Sequence, residues 1–227
     1  MAHPPGSTIL ANANNIVILP LYSLTMVYVN ITLRFAPWEY DPETDEERKI
    51  CCMKVDIAGF PAYLESLLPK VPILFEVIGQ ISPYDCFLTA DGYQSPESSG
   101  QEDERLATCW IEAPHDYISR IYWMGIDPAI QEITGFIPGD VNTDKLLGEE
   151  DREVILQVCY QPPAGQSITS ALPFYNSHGQ REVLSSMAEV PFGQPMRIAF
   201  ALESCFRRGE ADGQPILIAV LEHMVIL

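Results

Sequence analysis

One short segment has the residue types and the spacing of a cation site. Asp140, Asn142 and Asp144 form a D-x-N-x-D pattern, which would direct three side-chain oxygens at a hard cation such as calcium. Lys145, however, occupies the position of the turn glycine of a calcium loop, and Asp151 replaces its bidentate glutamate. The segment therefore favours an Asx-type turn over a calcium site.

Thiol and imidazole groups offer the other candidate chemistry. The four histidines and six cysteines do not fall into pairs with zinc-ligand spacing. Cys109 or Cys159 with His115 or His178 and Asp116 would make a nucleophile, a base and an orienting group, but any chain with this many polar residues offers such trios. The sequence lacks a nucleophile elbow and a glycine-rich phosphate loop. We therefore expect a non-enzymatic protein without a metal or cofactor.

Trp38 and Tyr40 are the candidate residues for a protein contact. They lie in the acidic, proline-containing segment 37–49, which predicts a solvated loop. An exposed Trp–Tyr pair beside Glu39 suits a protein interface. The alternative is that Trp38 folds back and covers the strand end at Phe35.

The charge balance bears on the class of ligand. Thirteen basic and 31 acidic residues give a formal net charge of -18 at pH 7, which repels phosphate. From this we expect no direct binding to nucleic acid and none to a membrane surface.

The cysteine pattern bears on the compartment. Six cysteines in a chain of 227 residues, without a CxxC pair, indicate thiols in a reducing compartment. The apolar runs at 16–29 and 216–227 are short for a membrane span, and the amino-terminal region lacks the basic start of a signal peptide. These features predict an intracellular, cytoplasmic protein, with a virion as a second location.

Alternating side chains determine the predicted fold class. Residues 26–35, 153–160 and 195–206 alternate apolar and polar side chains with a period of two, as half-buried strands do. Helical spacing is confined to short segments at 60–68, 128–134 and 181–190. The chain is therefore predicted to be mainly β, an antiparallel sandwich or jelly-roll-like barrel with a few short helices, with an α+β fold as the alternative.

The remaining segments complete the predicted organisation. Residues 1–14 are interpreted as an extended arm and 15–227 as one β-rich domain, with a mobile loop at about 91–105. The first long strand and the last strand are expected to be sheet neighbours. Further strands are predicted in the following segments: 15–19, 50–57, 71–79, 85–90, 106–111, 117–124, 168–175 and 216–227.

Three functional hypotheses follow from these features. The first is a structural or assembly subunit, such as a viral shell or cement protein, that packs with copies of itself or with partner proteins, because few lysines guard the long strands. The second is an acidic intracellular adaptor or inhibitor that binds a basic protein. The third is a β-sandwich hydrolase or metal-dependent enzyme.

Overall fold

The structure is a computed structural model of the 227-residue chain. It describes eleven ranges: 17–21, 33–41, 46–53, 71–84, 86–89, 107–137, 139–150, 153–162, 166, 171–207 and 214–227. The predicted arm at 1–14, the loop at 91–105, the helix at 60–68 and most of the strand at 26–35 lie outside these ranges.

The described residues form one sheet of ten strands and a few short helices. The strands are β1 (Val17–Pro20), β2 (Leu33–Asp41), β3 (Glu46–Met53), β4 (Val71–Ile81), β5 (Ala107–Glu112), β6 (Leu147–Glu150), β7 (Glu153–Tyr160), β8 (Phe174–Tyr175), β9 (Met196–Arg207) and β10 (Ile216–Ile226). The helices are α1 (Tyr117–Trp123), α2 (Ile126–Thr134) and a 3₁₀ turn (Met187–Glu189). The prediction of a mainly β fold with few short helices is confirmed. Most pairings are antiparallel, and β1–β4, β7–β10 and β8–β10 are parallel.

Five of the strands close into a ring. Each neighbouring pair in the series β4–β5–β7–β10–β9 is hydrogen-bonded, and β9 returns to pair with β4. Numbered in chain order, the five strands follow each other around the ring as one, two, three, five, four. The third and fifth strands, β7 and β10, run parallel. This five-stranded Greek-key barrel has the strand order of the OB fold.

The barrel is filled by one face of each of its strands. Phe75 of β4 and Phe200 of β9 are fully buried, and their ring centroids lie 6.2 Å apart. Alternate residues of β5 (Ala107, Cys109, Ile111) and of β7 (Leu156, Val158, Tyr160) share the same core. Burial of this face is the main source of the barrel's stability.

A second, smaller apolar cluster lies on the outside of the barrel. It is formed by outward-facing residues of β2, β3, β4 and β9, all of them buried: Ala36, Ile50, Cys52, Leu74 and Ala201. Pairing of β3 with β9 and β4 brings these side chains together. We call this cluster the sealed face.

Several sequence-based assignments differ from the structure. Residues 117–124 were expected to be a strand but form α1, because Asp116 caps the helix by accepting a hydrogen bond from the Ser119 N–H at 2.8 Å. In segment 85–90 the described residues make an isolated bridge between Phe87 and Thr108 in place of a strand. The described part of the predicted strand at 168–175 contributes the two-residue β8.

The predicted loop and the predicted strand neighbours also need correction. Residues 37–41 and 46–49 are not a solvated loop but belong to β2 and β3, which pair as a hairpin. In the described part of the chain β2 pairs with β3, whereas β10 pairs with β7, β8 and β9. The expectation that the first long strand and the last one are neighbours is therefore wrong for the portion of that strand in β2.

Candidate functional site

The predicted calcium segment forms a turn that is anchored to β10. The Asn142 side-chain oxygen accepts a hydrogen bond from the Asp144 N–H at 2.8 Å, which is the Asx-turn arrangement. The Asn142 N–H donates to the Pro215 carbonyl, and the Asn142 carbonyl accepts from the Leu217 N–H, each at 2.9 Å. Asp140 and Asp144 are exposed. Among the described residues, no group of three or more His, Cys, Asp and Glu side chains could hold a metal ion.

The structure separates the members of the candidate nucleophile trio. Cys109 is fully buried in the barrel, whereas His115 and His178 are exposed and Asp116 is used as a helix cap. Burial, with smaller contributions from the thiols of Cys86 and Cys159, raises the pKa of Cys109 well above its ordinary value. A thiol in this environment stays protonated at neutral pH and is a poor nucleophile.

Trp38 and Tyr40 lie on β2. The register of the β2–β3 pair shifts between Pro37 and Glu39, so that Trp38 is the extra residue of an irregular step. The side chains of Trp38 and Tyr40 lie outside the described part of the structure, and their role in a protein contact stays a prediction.

The outer surface of β5 and β7 has a different character from the sealed face. Thr108 pairs with Cys159, and Trp110 pairs with Gln157, so these four residues point outward from the barrel side by side. All four are partly exposed, whereas the residues that alternate with them are buried in the core. We call these four residues the β5–β7 face.

Trp110 extends across this face. A Cβ atom added to Gly148 on β6 would lie 3.1 Å from Cη2 of Trp110 and 3.1 Å from Cγ1 of Ile155. The indole therefore crosses β7 above Ile155 and reaches the backbone of β6 at Gly148, where a larger residue would push the ring away. The absence of a side chain at Gly148 thus positions Trp110.

One edge of the β5–β7 face carries basic groups. Arg48 on β3 donates from Nη1 to Oε1 of Gln161 at 3.3 Å, just beyond the end of β7. Burial raises the pKa of Cys159 to about 12, together with the Glu203 carboxylate, while the positive charges of Arg48 and Lys145 oppose the increase. The two cations and the Glu203 carboxylate therefore all lie near the Cys159 end of the face.

The opposite edge of the face is ordered by hydrogen bonds and an ion pair. The buried Gln80 side chain donates from Nε2 to Oε1 of Glu112 at 2.7 Å, and the same nitrogen lies 3.2 Å from Nε2 of His115. Glu153 begins β7 and forms an ion pair with Arg120 of α1. Trp110 thus lies between one end of the face with Arg48, Lys145 and Glu203 and another end with Glu112 and the Arg120–Glu153 ion pair.

Comparison with known proteins gives matches in structure but not in sequence. No family model matches the chain, and no curated protein matches its sequence. Among solved structures, gp2.5, the single-stranded DNA-binding protein encoded by bacteriophage T7, matches with 13% identity and a TM-score of 0.38, over 68% of this chain and 91% of that one. The single-stranded DNA-binding protein of bacteriophage Enc34 in complex with single-stranded DNA matches with 12% identity and a TM-score of 0.43, over 85% of this chain and 94% of that one.

These matches correct the function that we expected from the sequence. They contradict the expected structural or assembly role, including a viral shell or capsid protein in the virion, and the exclusion of direct nucleic-acid binding. The adaptor and enzyme alternatives are not tested by these matches. The solved structures that the chain resembles are single-stranded DNA-binding proteins, and one of them is bound to single-stranded DNA.

Two physical reasons account for this error. The net charge of -18 is a property of the whole chain, and it does not describe one face of the barrel. The long strands β4, β9 and β10 also find their neighbours within the ring and need no partner chain for them.

Sequence reasoning did not single out Trp110 as a site residue. A strand is predicted at 106–111, but the sequence does not show which strand faces are left uncovered. Gly148, which lies on another strand, is the residue that allows the indole to lie across the face, and only the sheet pairing relates the two.

Within the described residues, no helix is both long and apolar enough to cross a membrane.

Proposed function

We propose that this protein binds single-stranded DNA on the β5–β7 face. The observation that carries the proposal is a closed five-stranded barrel with a partly exposed tryptophan lying across the outer surface of its second and third strands. In barrels of this type, that surface and the adjoining loops are the usual place for oligonucleotides. The bases of a single strand are accessible for stacking on an aromatic ring, as those of a duplex are not.

The chemistry of the β5–β7 face suits sequence-tolerant binding. An indole ring stacks with any base, and each stacked base contributes about 1–3 kcal/mol. Thr108 and Gln157 supply a hydroxyl and an amide that can hydrogen-bond to base edges or to the sugar–phosphate backbone. Stacking would therefore provide most of the affinity.

The charge of the chain sets the expected salt dependence. Arg48, which is hydrogen-bonded to Gln161, and the exposed Lys145 are the cations at one edge of the face that a phosphate could contact, whereas the remainder of the chain is strongly acidic. For single strands, the slope of log K against log salt is about -0.7 for each neutralised phosphate. Two such contacts would give a shallow slope of roughly -1.4.

We further propose a non-catalytic role in a reducing compartment such as the cytoplasm. All six cysteines lie in the described part of the chain, and none of them is joined in a disulfide. The raised pKa values of Cys109 and Cys159 support a packing role for these thiols over a nucleophilic one.

Fluorescence anisotropy with a labelled oligo(dT) tests the proposal. Trp110→Ala should weaken binding by about 5- to 150-fold, since it removes one stacking ring, and Trp110→Phe should retain most of the affinity. Phe136→Ala removes a partly exposed aromatic ring at the end of α2 and serves as the matched control, with unchanged affinity expected. Failure of the unmodified protein to bind oligo(dT), or unchanged binding by a folded Trp110→Ala variant, would overturn the proposal.

A further inference from the structure

Helix α1 exposes an unusual number of large apolar side chains. Five of the eight residues from 117 to 124 are exposed apolar or aromatic residues, which we call the α1 patch: Tyr117 (78% exposed), Ile118 (67%), Ile121 (50%), Tyr122 (44%) and Met124 (76%). A contiguous apolar patch of this kind on a folded protein marks a binding surface.

The exposure is not a consequence of a loosely attached helix. Trp123 at the end of α1 is buried, and its indole N–H donates to the Val154 carbonyl at 2.8 Å. A Cβ atom on Gly79 would lie 2.7 Å from the Trp123 ring, so β4 and the indole are in direct contact. Asp116 caps the other end of the helix. The patch is thus held in place at both of its ends.

The α1 patch adjoins the β5–β7 face. Arg120 of α1 pairs with Glu153, the first residue of β7, and Trp123 binds the carbonyl of the next residue, Val154. Ile155 follows directly, and it lies beside Gly148 beneath the Trp110 ring. A strand of nucleotides leaving Trp110 along β7 toward Glu153 would therefore arrive at α1.

We infer that the α1 patch is a second stacking surface for the bases of single-stranded DNA, with Tyr117 and Tyr122 as its aromatic rings. This inference rests on the proposed function and extends the binding path beyond the barrel. Residues 117–123 contain a single charged side chain, Arg120, and its charge is balanced by Glu153. The patch therefore binds nucleotides through ring stacking and apolar contact, while phosphate contacts remain at the Arg48 edge.

A length series separates the two surfaces. A 5-nucleotide oligo(dT) should fit on the β5–β7 face alone, whereas one of 15 nucleotides should also reach α1, given site sizes of about 4–16 nucleotides for such barrels. The double variant Tyr117→Leu, Tyr122→Leu keeps the apolar surface but removes the rings. It should bind the long oligonucleotide about tenfold or more weakly and the short one as the unmodified protein does. The matched variant Tyr117→Phe, Tyr122→Phe keeps the rings and should bind both normally.

The outcomes separate the failure of this inference from that of the proposed function. If the unmodified protein binds neither oligonucleotide, the proposed function fails and this inference with it. If it binds the long one and the leucine variant does so equally well, the inference alone is overturned. A different result would assign the patch to protein contact and would also overturn the inference. In that case the leucine variant binds as well as the unmodified protein, the unmodified protein has a native mass above that of one chain, and Ile118→Asp lowers this mass.

Discussion

Two outer surfaces of the same barrel differ in their exposure to solvent. The sealed face around Ile50 and Leu74 is closed to solvent, although it lies outside the ring of strands. The β5–β7 face around Trp110 and Gln157 lies on the other side of the ring and is left partly open. Both surfaces rest on the same barrel core, so the side chains that point outward make the difference.

The sequences of the strands already carry this difference. On β4 and β9 consecutive residues are buried, as with Leu74 and Phe75, because both faces of these strands are apolar. On β5 and β7 buried residues alternate with Thr108, Trp110 and Gln157, which keep contact with solvent. A strand that is apolar on both faces is buried on both, whereas one that alternates leaves one face in contact with solvent.

Removing bulk from the sealed face should have the largest effect. Ile50→Ala deletes three buried carbons from a cluster that is shielded from solvent. It should lower the free energy of unfolding by about 2–5 kcal/mol. Gln157→Ala on the β5–β7 face should change it by no more than about 0.5 kcal/mol. Urea denaturation followed by circular dichroism measures both variants. Equal losses in the two would show that the faces do not differ as described.

Adding bulk beneath Trp110 should have an intermediate effect. We expect it to reduce DNA binding more than it reduces stability. Gly148→Ala brings a methyl group within 3.1 Å of the indole and of Ile155, so the ring must shift by a few tenths of an ångström. The affinity for oligo(dT) should fall by roughly 2- to 10-fold, a part of the value of one stacked base. The free energy of unfolding should change little, because alanine also restricts the unfolded chain.

The position of the ring is read from tryptophan emission, with Trp110→Phe as the background that removes the signal. Unchanged emission and unchanged affinity in Gly148→Ala would show that Gly148 does not position Trp110.

The smallest effect concerns the thiols at alkaline pH. Burial raises the pKa of Cys86 to about 11, and burial together with Glu203 raises that of Cys159 to about 12. Both thiols bind their protons more tightly in the folded chain than in the unfolded one. Their contribution to stability is therefore complete below the ordinary thiol pKa of about 9 and is lost as the pH rises toward 11 and 12.

Thermal unfolding between pH 8 and 11 measures this contribution. The melting temperature of the unmodified chain should fall as the pH rises from about 9, and Cys86→Ala with Cys159→Ala should make the decline shallower. The shape of the two curves is compared, because the substitutions also remove packing. Parallel curves would exclude a role of these thiols in the alkaline loss.

The sequence predicts the strands of this fold better than their arrangement. Alternation gives the limits of β7 and identifies β9, and apolar runs identify β4 and β10, because these patterns follow directly from burial of one or both strand faces. The same criterion is wrong at α1, where the four-residue interval between Tyr117 and Ile121 fits both a strand and a helix period.

The candidate site could not be predicted, since it depends on residues distant in sequence. Trp110 meets Gly148 through the pairing of β6 with β7, and Arg48 approaches Gln161 across 113 residues of chain. The pairing of β4 with β9, which closes the ring, is not marked by a local sequence pattern either. Net charge was misleading for a related reason, because it averages over faces that only the fold distinguishes.

The lengths of the ring's hydrogen-bonded seams have a mechanical consequence. In the described structure two register pairs join β4 to β5 and two join β7 to β10, whereas ten join β9 to β10. The barrel is thus two plates, β5 with β7 and β4 with β9 and β10, hinged along two short lines, where amide exchange should open first. A strand of DNA that contacts Trp110 on one plate and Arg48 on β3, which pairs with the other plate, would span one of these short seams. It would hold the two groups of strands together and slow their separation.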